Sequence, residues 1–98
     1  MSRIRESARG EQCQIRIYQV CNHDPETTVL CHPNELGSGH GMGHKGIDEL
    51  GAYGCFNCHN VYDRRVPLPA HLTRLEVENA FHRGHQRTFV ILREKGLI

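Results

Sequence analysis

The stretch Cys55-Phe56-Asn57-Cys58-His59-Asn60-Val61-Tyr62-Asp63-Arg64-Arg65 decides how the rest of this chain is read. A Cys-x2-Cys turn sets two thiolates at a separation suited to one tetrahedral Zn²⁺. His59 and Asp63 stand four residues apart, which on a helix places an imidazole and a carboxylate on one face, able to share a second ion. The segment therefore predicts a zinc staple that fixes a short helix, Cys58 to Arg65, and a helix that presents a reactive ion. Val66-Pro67-Leu68-Pro69 ends that helix, because a residue before proline is driven from helical angles.

Cys13 and Cys21 complete a candidate four-thiolate zinc site with Cys55 and Cys58, and Cys31 is left as the fifth cysteine. Met1 to Gln12 is polar and basic, without the apolar centre of a signal peptide, and no apolar run approaches the length of a bilayer span. A cytoplasmic chain without membrane attachment is expected. In that setting an odd cysteine count favours metal over disulfide; the alternative is a set of scattered buried thiols. With 98 residues, six aromatics and no tryptophan, the chain makes one domain, residues 1–98, with a small core. A metal tying residue 13 to residue 58 adds binding energy to folding that such a core lacks. The formal charge is +1, and four thiolates on Zn²⁺ carry a net −2. Phosphate binding must therefore come from a local patch.

The basic segment 1–10, with Arg3, Arg5 and Arg9, reads as a solvated N-terminal arm or a short helix. Cys13, Ile15 and Ile17 alternate with Gln14, Arg16 and Tyr18, the pattern of a half-buried strand ending near Cys21. Asn22-His23-Asp24-Pro25 is turn chemistry, and Thr27-Thr28-Val29-Leu30-Cys31-His32 reads as a second strand. Together they predict an antiparallel hairpin over 13–32 with His32 at its exit. Residues 33–54 form a Gly/His-rich loop, whose run GSGHGMGHKG has five glycines and contains His40 and His44. Asp48 and Leu50 mark a short return strand or turn before Cys55. A long C-terminal helix spans 73–96. Thr73 and Glu76 make a capping box, Leu72 and Val77 a hydrophobic staple, and Gly96 the stop. Val77, Ala80, Phe81, Thr88, Ile91 and Leu92 line one face. Gly84 within it predicts a bend or close packing.

A hairpin, a histidine at its exit, a loop, and Cys-x2-Cys-His leading a helix form an order that resembles the ββα-metal fold of HNH endonucleases. The stretches ARGEQCQIRI, VCNHDPETTVLCH and CFNCHNVYDRR are more closely similar to the prophage-encoded YbcO-like nuclease family. The resemblance implies an α+β fold: a small zinc-stapled ββα-metal domain with a long C-terminal helix. It implies that His32 is the general base and that His59, with Asp63, holds a catalytic Mg²⁺ or other divalent cation. Asp48 falls near the family's asparagine, which orients the base through the backbone. Cys31 departs from the pattern, since many HNH enzymes carry an acid before the first histidine; a thiol there favours softer ions. A second reading of His32 makes it a metal ligand beside Cys31.

Arg64 and Arg65, next to the ion-bearing face, are candidate phosphate contacts, or else an exposed helix end whose cations favour the dipole. The expected activity is metal-dependent hydrolysis of DNA phosphodiester bonds in phage DNA processing or recombination, with a recombination protein as a further partner. The competing reading is a non-catalytic zinc-stapled module that docks on nucleic acid or protein. The two differ in whether His32, His59 and an acid meet at an open site.

Overall fold

The computed structural model describes residues 2–34 and 45–98. Helix α1 (Arg3–Ser7) comes first, followed by strand β1 (Val29–Cys31), strand β2 (Ala52–Gly54), helix α2 (Phe56–Tyr62) and helix α3 (Arg74–Glu94), with 3-10 turns at Pro25–Thr27 and Lys45–Leu50. The two strands pair antiparallel in the register Val29↔Gly54, Leu30↔Tyr53, Cys31↔Ala52. The fold is α+β, with a two-stranded sheet carried on a long C-terminal helix.

The sheet's strand pairing corrects the expected hairpin over 13–32. The partner of β1 is β2, which follows the glycine-rich segment, and residues 13–21 form an irregular double turn. The alternation that suggested a strand holds only in part: Cys13, Ile15 and Ile17 are buried and Arg16 and Tyr18 are exposed, but Gln14 is buried as well. Its cause is different. Arg16 and Gln19 adopt φ of 55° and 57°, values that no strand accommodates. The backbone N–H groups of Arg16 and Ile17 donate to the sulfurs of Cys13 and Cys58 at 3.4 and 3.3 Å. Those of Gln14 and Ile15 both donate to the carbonyl of Tyr53. Donors that a strand would offer to a ladder are committed to thiols and to one carbonyl.

The basic N-terminal segment is helical over α1. Ser2 caps it, Ala8 is buried behind it, and Ser7 Oγ meets Tyr53 Oη at 2.6 Å. His40 and His44 lie outside the described residues.

Helix α3 follows its local signals closely. Thr73 and Glu76 form the full capping box. At the other end Gly96, with φ of 74°, donates to Arg93 O and Leu97 N donates to Leu92 O, the two bonds of a Schellman stop. Its inner face, Val77, Ala80, Phe81, Gly84, Thr88 and Leu92, is buried. Thr88 Oγ1 accepts from Tyr53 N at 2.9 Å and so joins α3 to β2. Gly84 marks close approach: a Cβ there would stand 2.9 Å from Ile15 Cα and 3.0 Å from Gln14 O. Tyr62 of α2 stacks on Phe81 with ring centroids 4.1 Å apart and planes 5° from parallel. One apolar cluster surrounds the cysteines, Ile15, Ile17, Tyr62 and Phe81; a second gathers Ala8, Leu30, Tyr53 and Leu92.

Candidate functional site

The double turn after Cys13, the 13–21 segment's far end at Cys21, and the start of α2 bring four cysteines to one point. The sulfurs of Cys13, Cys21, Cys55 and Cys58 all lie within 4.8 Å of one another, and none is in a disulfide. Zn–S bonds of about 2.3 Å in a tetrahedron place the sulfurs about 3.8 Å apart. The Cys21–Cys55 separation is 3.9 Å. Cys55 serves as the N-cap of α2, its sulfur accepting from Cys58 N at 3.4 Å, and Asn22 N reaches the same sulfur at 3.4 Å. Backbone donors aimed at these sulfurs suit thiolates rather than thiols. Contacts with Cys13 and Cys58 hold the Cys55 thiol far below its usual range. Contacts with Cys13 and Cys55, together with burial, push Cys58 far up, and burial pushes Cys21 up to about 12. Four thiols so close cannot all ionise by themselves; a divalent cation is what permits it. The four residues therefore fit a metal ion, and an S₄ tetrahedron fits Zn²⁺.

Two histidine–carboxylate pairs stand near this cluster. His32, one residue past β1, places Nε2 at 2.7 Å from Asp48 Oδ1. The Asp48 side chain is 10% exposed and that of His32 is 39% exposed, so the bonded ring is still partly open to solvent. Arg5 of α1 reaches the same carboxylate oxygen at 3.6 Å. Burial raises the Asp48 carboxyl, but hydrogen bonds from Ser2 and His32 and the charge of Arg5 outweigh it, and the group lies below the ordinary carboxylate range. The second pair is His59 Nε2 with Asp63 Oδ2 at 2.8 Å. Asp63 is the C-cap of α2, so the four-residue spacing holds although the helix proper ends at Tyr62.

The segment leaving β1 crosses the end of α2. Asn34 N donates to Tyr62 Oη at 2.8 Å, and Asn34 Nδ2 donates to the Tyr62 carbonyl. A cleft of about 560 Å³ is bordered by Asn34, Asp63, Arg64, Arg74 and Glu78. Arg64, at φ 64°, is exposed on that cleft, and Arg65 is an exposed side chain 3.7 Å from Asp63. Cys31 is fully buried; burial and the nearby charge of Asp63 hold its thiol well above the usual value. It stays a neutral thiol.

A family model described as "Putative nuclease YbcO" matches residues 2–97. The chain belongs to the YbcO family. It is 45% identical over 66 residues to the putative nuclease YbcO of Escherichia coli K12, an overlap of 67% of this chain and 68% of that one. The same figures hold for the putative nuclease of Enterobacteria phage 82. A solved structure of a putative bacteriophage protein from Escherichia coli K-12 superposes with a TM-score of 0.75 at 33% identity, covering 96% of this chain and all of that one.

Several contacts in this YbcO-family chain had no signal in the sequence. The bond from Asp48 to His32 runs through the side chain, whereas the resemblance implied a backbone role. Ser2 and Arg5, read as part of an arm, touch that carboxylate. Arg74 donates to the carbonyls of Val61 and Tyr62 and so satisfies the end of α2. Each is a contact between distant segments, which no spacing rule encodes. Among the described residues no helix is long and apolar enough to cross a membrane.

Proposed function

We propose that this chain is a metal-dependent HNH-type endonuclease that hydrolyses DNA phosphodiester bonds in phage DNA processing or recombination. In this reading residues 1–98 are one zinc-stapled ββα-metal domain acting in the cytoplasm. The observation that carries it is the pair of histidine–carboxylate contacts, one at the exit of β1 and one on α2, next to a four-cysteine cluster.

The roles follow from donor and acceptor chemistry. An ionised Asp48 only accepts, so His32 donates from Nε2 and presents Nδ1 as an acceptor. Nδ1 takes a proton from water as the water oxygen attacks phosphorus and the P–O bond to the leaving sugar oxygen breaks, that oxygen then taking a proton from solvent. Asp48 fixes the tautomer and favours the imidazolium that forms. His59 Nε2 and Asp63 Oδ2 lie 2.8 Å apart, a contact that the two would exchange for an ion held between them. A divalent cation there, Mg²⁺ or another, would supply positive charge to the phosphate and the leaving oxygen. Arg64 and Arg65 hold flanking phosphates. Cys31 stays outside the ligand set.

The test is nicking of supercoiled plasmid by zinc-loaded protein, freed of contaminating nucleases, with added Mg²⁺, Mn²⁺ or Zn²⁺. Nicking that depends on the added ion supports the reading. Tight DNA binding without nicking under any of the three would replace it with a non-catalytic binding module.

A further inference from the structure

We infer that the cleft between the cysteine double turn and α3 is a second nucleic-acid site, one that takes a single-stranded segment by stacking a base on Tyr18. It goes beyond the cleavage site and rests on the nuclease reading only for its ligand class.

Tyr18 is 71% exposed, while the chain's other tyrosines, Tyr53 and Tyr62, are fully buried. Its position is nonetheless fixed. The turn is closed by Val20 N and Cys21 N, both donating to Ile17 O at 3.0 Å, and Ile17 N is bonded to Cys58 Sγ. His71 Nε2 lies 2.8 Å from the Tyr18 carbonyl, and the two rings meet edge to face with centroids 5.9 Å apart. The four-cysteine cluster thus holds an aromatic face out in water, where it adds nothing to the core.

The cleft beside it measures about 600 Å³ and has Arg16 and Arg83 on its walls. Glu76 also borders it, its carboxylate accepting from Thr73 N at 2.7 Å. The Arg16 guanidinium donates to Cys13 O at 3.0 Å and Gln14 Oε1 at 3.3 Å, so two guanidiniums face the cleft against one carboxylate. A fixed ring flanked by guanidiniums suits an unpaired base and its phosphates; duplex DNA hides its base faces and leaves such a ring without a partner. The site is separate from the Asp63 cleft. Arg74 and Glu78 border that cleft from one side of α3, whereas Glu76, Ala80 and Arg83 border this one, and at 3.6 residues per turn the two sets lie on nearly opposite faces.

The experiment measures fluorescence anisotropy of a labelled single-stranded oligothymidylate and of a labelled hairpin duplex, with zinc-loaded protein and no added divalent ion. Tyr18→Ala should weaken single-strand binding about fivefold or more and leave duplex binding unchanged, with zinc content and circular dichroism as fold controls. Tyr18→Phe should keep the affinity. With no tryptophan in the chain, quenching of tyrosine emission by the oligonucleotide should be seen in the unaltered protein and lost in Tyr18→Phe. Arg83→Ala should weaken single-strand binding and lower its salt dependence by about one counterion. Equal single-strand affinity in Tyr18→Ala overturns the inference; if Arg64→Ala still weakens duplex binding, the nuclease reading survives it. Absence of single-strand binding likewise overturns the inference, while the nuclease reading stands or falls on ion-dependent nicking.

Discussion

His32 Nε2 lies 2.7 Å from Asp48 Oδ1 although the two residues are sixteen apart and sit on either side of the glycine-rich segment. A largely buried carboxylate, held also by Arg5, therefore fixes the one imidazole that stands at the end of β1. Asp48 has a lowered carboxyl pKa. A group lowered on folding adds stability above its unfolded pKa, about 3.9, and loses it as pH falls through the lower folded value. Asp48→Asn should cost about 2 kcal/mol at pH 7. Urea unfolding of both proteins should show that difference shrinking below about pH 4. A difference constant down to the lowest pH would contradict the assignment.

Asp48→Asn should also slow nicking by roughly 10²–10⁴-fold, because an amide no longer selects the Nε2–H tautomer. Its pH–rate profile at matched zinc content separates this effect from unfolding.

One zinc per chain is expected, lost in Cys58→Ser. The sulfurs already stand within 4.8 Å, and the cluster joins the 13–21 turn to α2, so stripping the metal should abolish cooperative melting. Elemental analysis paired with circular dichroism reads both. Metal-free protein with an unchanged melting curve would remove zinc from the account.

Gly84→Ala tests the packing of α3. Helix propensity alone favours alanine by about 1 kcal/mol. The new Cβ, however, would meet the backbone at Ile15 Cα, 2.9 Å, and Gln14 O, 3.0 Å. Overpacking of that kind costs about 1–3 kcal/mol, so the variant should melt lower. A higher melting temperature would show that the turn can move away.

Helix α3 and the cysteine set were legible because their signals are local or chemically rare: a capping box, a glycine stop, and paired cysteines. The hairpin misled because Cys13, Ile15 and Ile17 alternate with polar residues in sequence, whereas thiol-bound turns bury them together with Gln14. The strand β2, only Ala52–Gly54, is too short to carry a pattern, and Gly54 sits against Ile15 Cδ1 and Cys31 Sγ, where a Cβ would come within 2.8 Å of either. His59 and Asp63 could be paired from spacing on one helix. Asp48 could not be given to His32 that way, because the contact depends on how β1 and the Lys45–Leu50 turn are brought together.

Arg64→Ala and Arg65→Ala should each weaken duplex DNA binding and reduce the slope of log affinity against log salt by about one. Fluorescence anisotropy across a salt series measures this. A loss of affinity with an unchanged slope would argue for a structural role at the end of α2.

The most direct measurement is the plasmid-nicking rate of His32→Ala beside that of the unaltered protein, with zinc content determined on the same samples. The expected loss is roughly 10²–10⁴-fold, the usual worth of a general base, with zinc unchanged, because His32 lies outside the four-cysteine set. His32→Ala protein that nicks DNA as fast as the unaltered chain would contradict it.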